Sequence, residues 1–160
     1  MNNEEYRIHA LIRQEADFLI DCSEKLNPWL KKIITRANKH KKHERDTFGQ
    51  SQIRQLIQAT RQASGLKELT LFIRYQMGRD ERKQNWNSEI QNKTLGDAVI
   101  EQLNNISLRV KSLLTTEDSL EFERQLFLRM VERFFYYWSW QYKYLLTNTE
   151  KQEHSGRAVR

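Results

Sequence analysis

The sequence predicts an all-α fold, a single-domain bundle of about five helices. Only five glycines and one proline occur in 160 residues, whereas the strong helix formers leucine, glutamine, glutamate, arginine and lysine are abundant. Apolar residues recur at steps of three, four and seven over long segments, which is the period of an amphipathic helix. A chain of this length has the size of one domain and can bury one core.

The first helix is predicted to begin near Glu4 and to keep one apolar face as far as Ala37. Asn27 and Pro28 interrupt it, because asparagine is a favourable N-cap and proline fits the first helical position. The apolar phase continues beyond this point, so we expect a kink or two abutting helices. A polar and basic loop is predicted over residues 38–50.

The second and third helices are predicted over residues 51–64 and 66–79. We expect Ser51 to cap the start of the second helix and Gly65 to close it. Gln76 falls within the apolar face of the third helix, where a buried amide needs hydrogen-bond partners. It is therefore predicted to bridge helices.

Residues 80–93 are polar and poorly periodic, so we predict a loop, with room for one short helical turn, anchored by Trp86 and Ile90. The fourth helix is predicted over residues 95–114, where apolar side chains return at helical spacing.

The fifth helix, over residues 119–146, is the longest and most apolar, and Leu120 is predicted on its core face. The polar residues 147–160 lack periodicity and are predicted to form a disordered tail. The bundle domain is therefore expected to comprise residues 1–146.

The net charge of +6 is concentrated in one segment. Residues 31–45 hold seven lysines and arginines against one acid, Glu44, so this stretch equals the charge of the whole chain. Such a run is typical either of a surface that attracts a polyanion or of a solvated face that aids solubility. Both interpretations stay open for the run alone.

A second group of basic residues follows on the predicted helices. Arg54, Gln58 and Arg61 lie at i, i+4 and i+7 beside the apolar face, and guanidinium groups on a rigid helix suit phosphates. The candidate RNA-binding residues are Arg54, Arg61, Arg74, Arg79 and Arg82, with Lys31, Lys32, Arg36, Lys39, Lys41, Lys42 and Arg45 adding sequence-independent attraction. We expect the arginines of the second and third helices to share one open side of the bundle, which would face a polyanion. The third helix is too apolar to read base edges as a recognition helix would.

Known catalytic and metal-binding patterns are missing from the sequence. The histidines are scattered, and His40 and His43 lie in a lysine-rich segment that would repel a divalent cation. Cys22 lies on an apolar stripe and is expected to be a core residue. We therefore expect no enzyme, no cofactor and no metal. The lone cysteine and the absence of a signal peptide or spanning segment favour the cytoplasm, with no membrane partner.

The last helix is unusually aromatic, since eight of the eleven residues in 134–144 are aromatic. The favoured interpretation is that this helix is central and buried on several sides. The second is a surface that docks a partner, and the third is stacking on unpaired bases, which ranks lowest because close packing would hide the rings. The candidate subunit-contact residues are Leu71, Tyr75, Tyr137, Trp140 and Tyr144.

Two short segments and the aromatic helix carry a resemblance to a known family. The first segment is the Thr/Ser-rich lead into Gln-Ile-Arg at 47–54, and the second is Phe-Ile-Arg-Tyr-Gln-Met-Gly-Arg at 72–79. Over about residues 45–145 the chain resembles the small subunits of type III CRISPR effector complexes, particularly those of the Csm type.

The resemblance implies a small, basic, all-helical protein of a prokaryotic cytoplasm, without catalytic activity. It implies that copies stack head to tail beside the backbone and large subunits of a ribonucleoprotein, and help to clamp the guide RNA and target RNA. Arg54, Arg74 and Arg79 would face the RNA. The alternative, which belongs to a different functional class, is a helical interaction module that docks a protein partner through its aromatic C-terminal helix.

Overall fold

Helices make up most of the chain in the structure, a computed structural model that describes residues 2–40 and 48–158. In order, the elements are α1 (Asn3–Gln14), α2 (Ala16–Glu24), α3 (Asn27–His40), α4 (Gln50–Gln62), α5 (Leu66–Arg79), β1 (Glu89–Ile90), β2 (Lys93–Thr94), α6 (Leu95–Leu113) and α7 (Leu120–Ala158). The predicted all-α class is confirmed, but about five helices was too few, since the described residues form seven.

The additional helices come from the N-terminal segment, where one interrupted helix was expected. The chain breaks at Glu15, between α1 and α2, and again at Lys25 and Leu26, just before α3. The Glu15 carboxylate is 2% exposed and accepts hydrogen bonds from Arg109 of α6 at 2.6 and 3.1 Å. Because the apolar phase runs through the breaks, periodicity alone does not reveal them.

The starts of α4 and α5 are both set by glycine. Gly49 is the N-cap residue of α4, and its N–H donates to Oε1 of Gln52 at 2.8 Å. Ser51, the predicted cap, is instead the second residue of α4. The prediction that Gly65 closes α4 is wrong, because Ala63 is the C-cap residue of that helix. Gly65 is instead the N-cap residue of α5. The bounds of α5 are those predicted.

Residues 89–94 form a small antiparallel hairpin where a loop was predicted. Glu89 pairs with Thr94, and Ile90 pairs with Lys93. The turn residues Gln91 and Asn92 both have positive φ, 51° and 63°, which is the backbone conformation of a type I′ hairpin turn. The hairpin leads directly into α6.

The core lies around α7, which α1, α2, α3, α4 and α6 all contact, whereas α5 packs mainly on α6. Phe134, Phe135 and Trp138 are fully buried, so central burial accounts for much of the aromatic stretch. The ring of Trp138 lies 5.2 Å from that of Phe48, which in turn meets the buried Trp86 edge-on at 5.0 Å. Trp86 is thus an anchor, as predicted.

Both ends of α7 differ from the prediction. Leu120 is 84% exposed, because it is the first residue of the helix and lies outside the core. Residues 147–158, for which we predicted no order, continue α7 to Ala158. Elongating an existing helix costs far less than nucleating one, so these turns can form without an apolar face. No helix in the described residues is long and apolar enough to cross a bilayer.

Candidate nucleic-acid interface

Two adjoining cavities lie along one face of α7. The first, of about 490 Å³, is lined by Gln50, Arg54, Ile57, Gln58 and Arg61 of α4 and by Tyr136, Ser139 and Trp140 of α7. The second, of about 510 Å³, is lined by His9 and Ile12 of α1 and by Arg129, Glu132, Arg133, Tyr136 and Trp140. Tyr136 and Trp140 line both. We call the pair of cavities the α7 groove.

Helical spacing places the groove residues on facing surfaces. On α4, Arg54 and Arg61 are two turns apart and flank the apolar face that packs on α7. On α7, the steps from Arg129 to Arg133, Tyr136 and Trp140 are four, three and four residues, which keeps these side chains on one side of the helix. Both walls are therefore rigid elements and not loops.

The groove is strongly cationic. Four arginines line it, namely Arg54, Arg61, Arg129 and Arg133, whereas Glu132 is the one carboxylate among the described residues that line it. In the described part of the chain, ion pairs engage only Arg61 of these four. The excess of positive charge favours an anionic ligand.

Arg61 is held by two residues of α7. Its Nε lies 2.8 Å from Oε1 of Glu132, and its Nη2 donates to the hydroxyl of Tyr136 at 2.6 Å. The hydrogen bond from Arg61 to Glu132 raises the pKa of the guanidinium above its already high value. Arg61 is thus a fixed charge at the junction of α4 and α7.

Arg129 faces His9 across the groove. Nη2 of Arg129 lies 3.4 Å from Nε2 of His9. Because a guanidinium only donates hydrogen bonds, this contact is a hydrogen bond only when Nε2 carries no proton.

Trp140 is the most accessible ring of the groove. It is 61% exposed, and the ring of Tyr137 meets it at 5.5 Å with an interplanar angle of 68°. The expectation that close packing would hide the aromatic rings is therefore wrong for this residue. Tyr144, one turn further along α7, is similarly exposed at 62% but lines neither cavity of the groove.

The predicted arginines do not share one surface. Arg54 and Arg61 lie on the side of α4 that faces the groove, whereas Gln52 and Gln55 line a separate cavity together with Gln76 and Arg79 of α5.

Arg74 lies on a third side. It is about half a turn round α5 from Gln76, hence away from α4, and it is exposed. Arg79 stands over the ring of Tyr75, with 5.6 Å between its Cζ and the ring centroid. The predicted arginines of α4 and α5 therefore lie on three surfaces, whereas one shared surface was expected.

The remaining predicted residues are scattered. On α3, Lys31, Lys32 and Lys39 are exposed and Arg36 is half-buried, whereas Lys41, Lys42 and Arg45 lie outside the described residues. Lys32 donates to the carbonyl of Glu89 at 2.5 Å. Arg82 is exposed after α5, as are Leu71 and Tyr75 on α5, and Tyr137 is half-buried.

Arg129 and Arg133 were not among the phosphate-binding residues predicted from the sequence. Their signal was available in the spacing of four, three and four that joins them to Tyr136 and Trp140. The aromatic residues 134–144 were interpreted mainly as core residues, and the two arginines lie before them in the sequence.

The described residues offer little for metal or thiol chemistry. No group of three or more His, Cys, Asp or Glu side chains in this part of the chain could hold a metal ion. Cys22 is buried, and burial raises the pKa of its thiol to about 11.

Comparison with family models, with curated proteins and with solved structures found no match to this chain.

Proposed function

We propose that this chain is a non-catalytic RNA-binding subunit, which grips the RNA backbone in the α7 groove. The observation that carries the proposal is the set of four arginines set against one carboxylate between α4, α7 and α1. Guanidinium groups bind phosphate oxygens through paired, charge-assisted hydrogen bonds. Contacts of this kind position a nucleic acid without reading its sequence.

The resemblance of residues 47–54 and 72–79 to the small subunits of type III CRISPR complexes supports a more specific proposal. Of the residues that the resemblance implies would face RNA, Arg54 lines the groove, whereas Arg74 and Arg79 do not and are left out of the proposed contact. The RNA would be the guide and target strands of such a complex. The partners would be its backbone and large subunits and further copies of this chain, stacked in a filament. The exposed lysines of α3 would add long-range attraction, which salt would screen.

One observation favours the alternative, a helical module that docks a protein. Trp140 and Tyr144 expose large rings on successive turns of α7, and aromatic residues are enriched at protein interfaces. Arginine is also enriched at protein interfaces, so the residue type does not separate the two functions. The excess of positive charge along the groove favours RNA, because each phosphate of a polyanion can balance one guanidinium group.

Purification of the assembly from the native cell tests the proposal. We expect a ribonuclease-sensitive small RNA to accompany the chain and its protein partners. The triple variant Arg54→Ala, Arg129→Ala, Arg133→Ala should remain folded but contact the RNA less, as measured by ultraviolet crosslinking. Protein partners without RNA, or unchanged crosslinking in the variant, would favour the docking module.

A matched control removes the same charge elsewhere. Arg13, Arg74 and Lys111 are exposed and line neither cavity of the groove. Their triple replacement by alanine should leave the RNA crosslink intact. An equal loss in both triple variants would show that net charge, and not the groove, holds the RNA.

A further inference from the structure

We propose that Trp140 is a stacking platform for an unpaired base of single-stranded RNA, an inference that rests on the RNA-binding function proposed above. Trp140 lies between two cationic cavities, one lined by Arg54 of α4 and the other by Arg129 and Arg133 of α7. The ligand class is therefore a single strand, or a nucleotide turned out of a duplex.

Trp140 occupies a central position in the α7 groove. Trp140 lines both cavities, so it stands at their shared boundary, where a bound strand would cross from one to the other. At 61% exposure the indole is open to a ligand. Stacking on an aromatic face needs this accessibility, which the buried Trp138 does not have.

The ring of Trp140 is held in place by its neighbours in α7. The ring of Tyr137 meets Trp140 at 5.5 Å and 68°, a geometry that is favourable for aromatic pairs. Trp140 also belongs to a continuous helix, so its backbone is fixed. A platform that is already ordered loses little entropy when a base stacks on it.

Positive charge lies on both sides of the Trp140 indole. Arg54 lies in one cavity and Arg129 and Arg133 in the other, so anionic groups are favoured on both sides of the indole. A single strand supplies this pattern, because its phosphates flank each base. Combined cationic grooves and aromatic platforms are typical of proteins that bind single strands without sequence preference.

An acidic peptide would match the charge but offers no base to stack. In a fully paired duplex the base faces are covered by their neighbours. The inference therefore predicts a preference for single strands over duplexes and a contribution of Trp140 that depends on the presence of bases.

The test measures the affinity of the full chain for three probes: an oligouridine of about ten nucleotides, matching the site sizes of single-strand binders, a blunt RNA duplex of the same length, and polyphosphate. We expect tighter binding of the single strand than of the duplex. Trp140→Leu should weaken oligouridine binding roughly tenfold and leave polyphosphate binding unchanged. Trp140→Phe should retain most of the affinity.

Tyr144→Leu is the matched control, since Tyr144 is equally exposed one turn further along α7 and lines neither cavity. It should bind oligouridine as the wild type does. Three results would overturn the inference: equal affinity for single strand and duplex, no effect of Trp140→Leu, or an equal loss for polyphosphate. Failure of the wild type to bind any of the probes would instead refute the RNA-binding function itself.

Discussion

Arg61 of α4 and Glu132 of α7 form an ion pair across the groove, with 2.8 Å between Nε and Oε1. Arg61 was predicted to face RNA, but much of its charge is already balanced by this carboxylate. Glu132 is half-buried and Arg61 is exposed, so the pair is accessible to a ligand. In the groove, Glu132 opposes anion binding while Arg61 favours it.

Glu132→Gln should therefore tighten binding to RNA. The amide keeps the shape of the side chain but removes the negative charge, which frees Arg61 to bind a phosphate. We expect an increase of severalfold in affinity for single-stranded RNA at low salt, measured by fluorescence anisotropy. The salt dependence should steepen by about 0.7 in the slope of log K against log salt, the value for one more phosphate contact.

Glu101→Gln provides the matched control for that variant. Glu101 pairs with Lys93, at 2.5 Å between Oε2 and Nζ, and neither residue lines the groove. The control removes the same charge from α6 and should change affinity little. Tightening of the same size in both variants would mean that overall charge, and not Arg61, determines RNA binding.

The pair formed by Arg7 and Asp118 makes stability depend on pH. Arg7 of α1 holds both carboxylate oxygens of Asp118, one of them through Nη2 at 2.9 Å. The pKa of Asp118 lies well below its usual range. The hydrogen bond from Arg7 is the largest cause of this lowering, and the hydrogen bond from the Thr115 N–H is the second largest. Asp118 thus stabilises the fold at every pH above the unfolded pKa of about 4.

This stabilisation is lost as the pH falls from about 4 through the lower folded-state pKa. Arg7→Ala should therefore reduce the free energy of unfolding at pH 7, and the difference from the wild type should shrink below about pH 4. Urea denaturation at several pH values measures this. Arg13→Ala, a change of an exposed residue in the same helix, should show no such trend. A difference that stays constant down to about pH 2 would contradict the assignment.

Asp80 organises the chain between α5 and the hairpin. Its Oδ2 accepts the N–H groups of Asn85 at 3.0 Å and Asn87 at 2.8 Å. Asp80→Ala would leave these half-buried donors without their acceptor, so we expect a loss of about 1–3 kcal/mol in the free energy of unfolding. Thermal and urea unfolding measure it. Glu81→Ala, which truncates the exposed neighbour of Asp80, should reduce the free energy of unfolding much less. Equal reductions in both variants would contradict the role of Asp80.

The helices with clear amphipathic periods were predictable from the sequence, and the contacts that break or join them were not. The bounds of α5 were predicted correctly from its apolar spacing, although Gly65 was assigned to the end of α4 and not to the start of α5. The break at Glu15 is different, because its buried carboxylate is matched by Arg109, which lies 94 residues away in the chain. No local pattern encodes such a partner.

The candidate site was predictable only in part, for a similar reason. The period of α4 placed Arg54 and Arg61 correctly beside its apolar face. It did not show that this side of α4 faces α7, or that Arg74 lies on another side of the bundle. Helix orientation depends on packing among all the elements. Grouping the arginines by their positions in the sequence therefore placed residues of three different surfaces on one predicted surface.

The most direct test of the groove compares Arg54→Ala with Arg74→Ala. Both remove one exposed arginine from a helix, but Arg54 alone lines the groove. The measurement is the affinity for single-stranded RNA over a series of salt concentrations. We expect Arg54→Ala to weaken binding and to lower the salt slope by about 0.7, and Arg74→Ala to change neither. Equal effects of the two variants, or a loss confined to Arg74→Ala, would contradict RNA binding in the α7 groove.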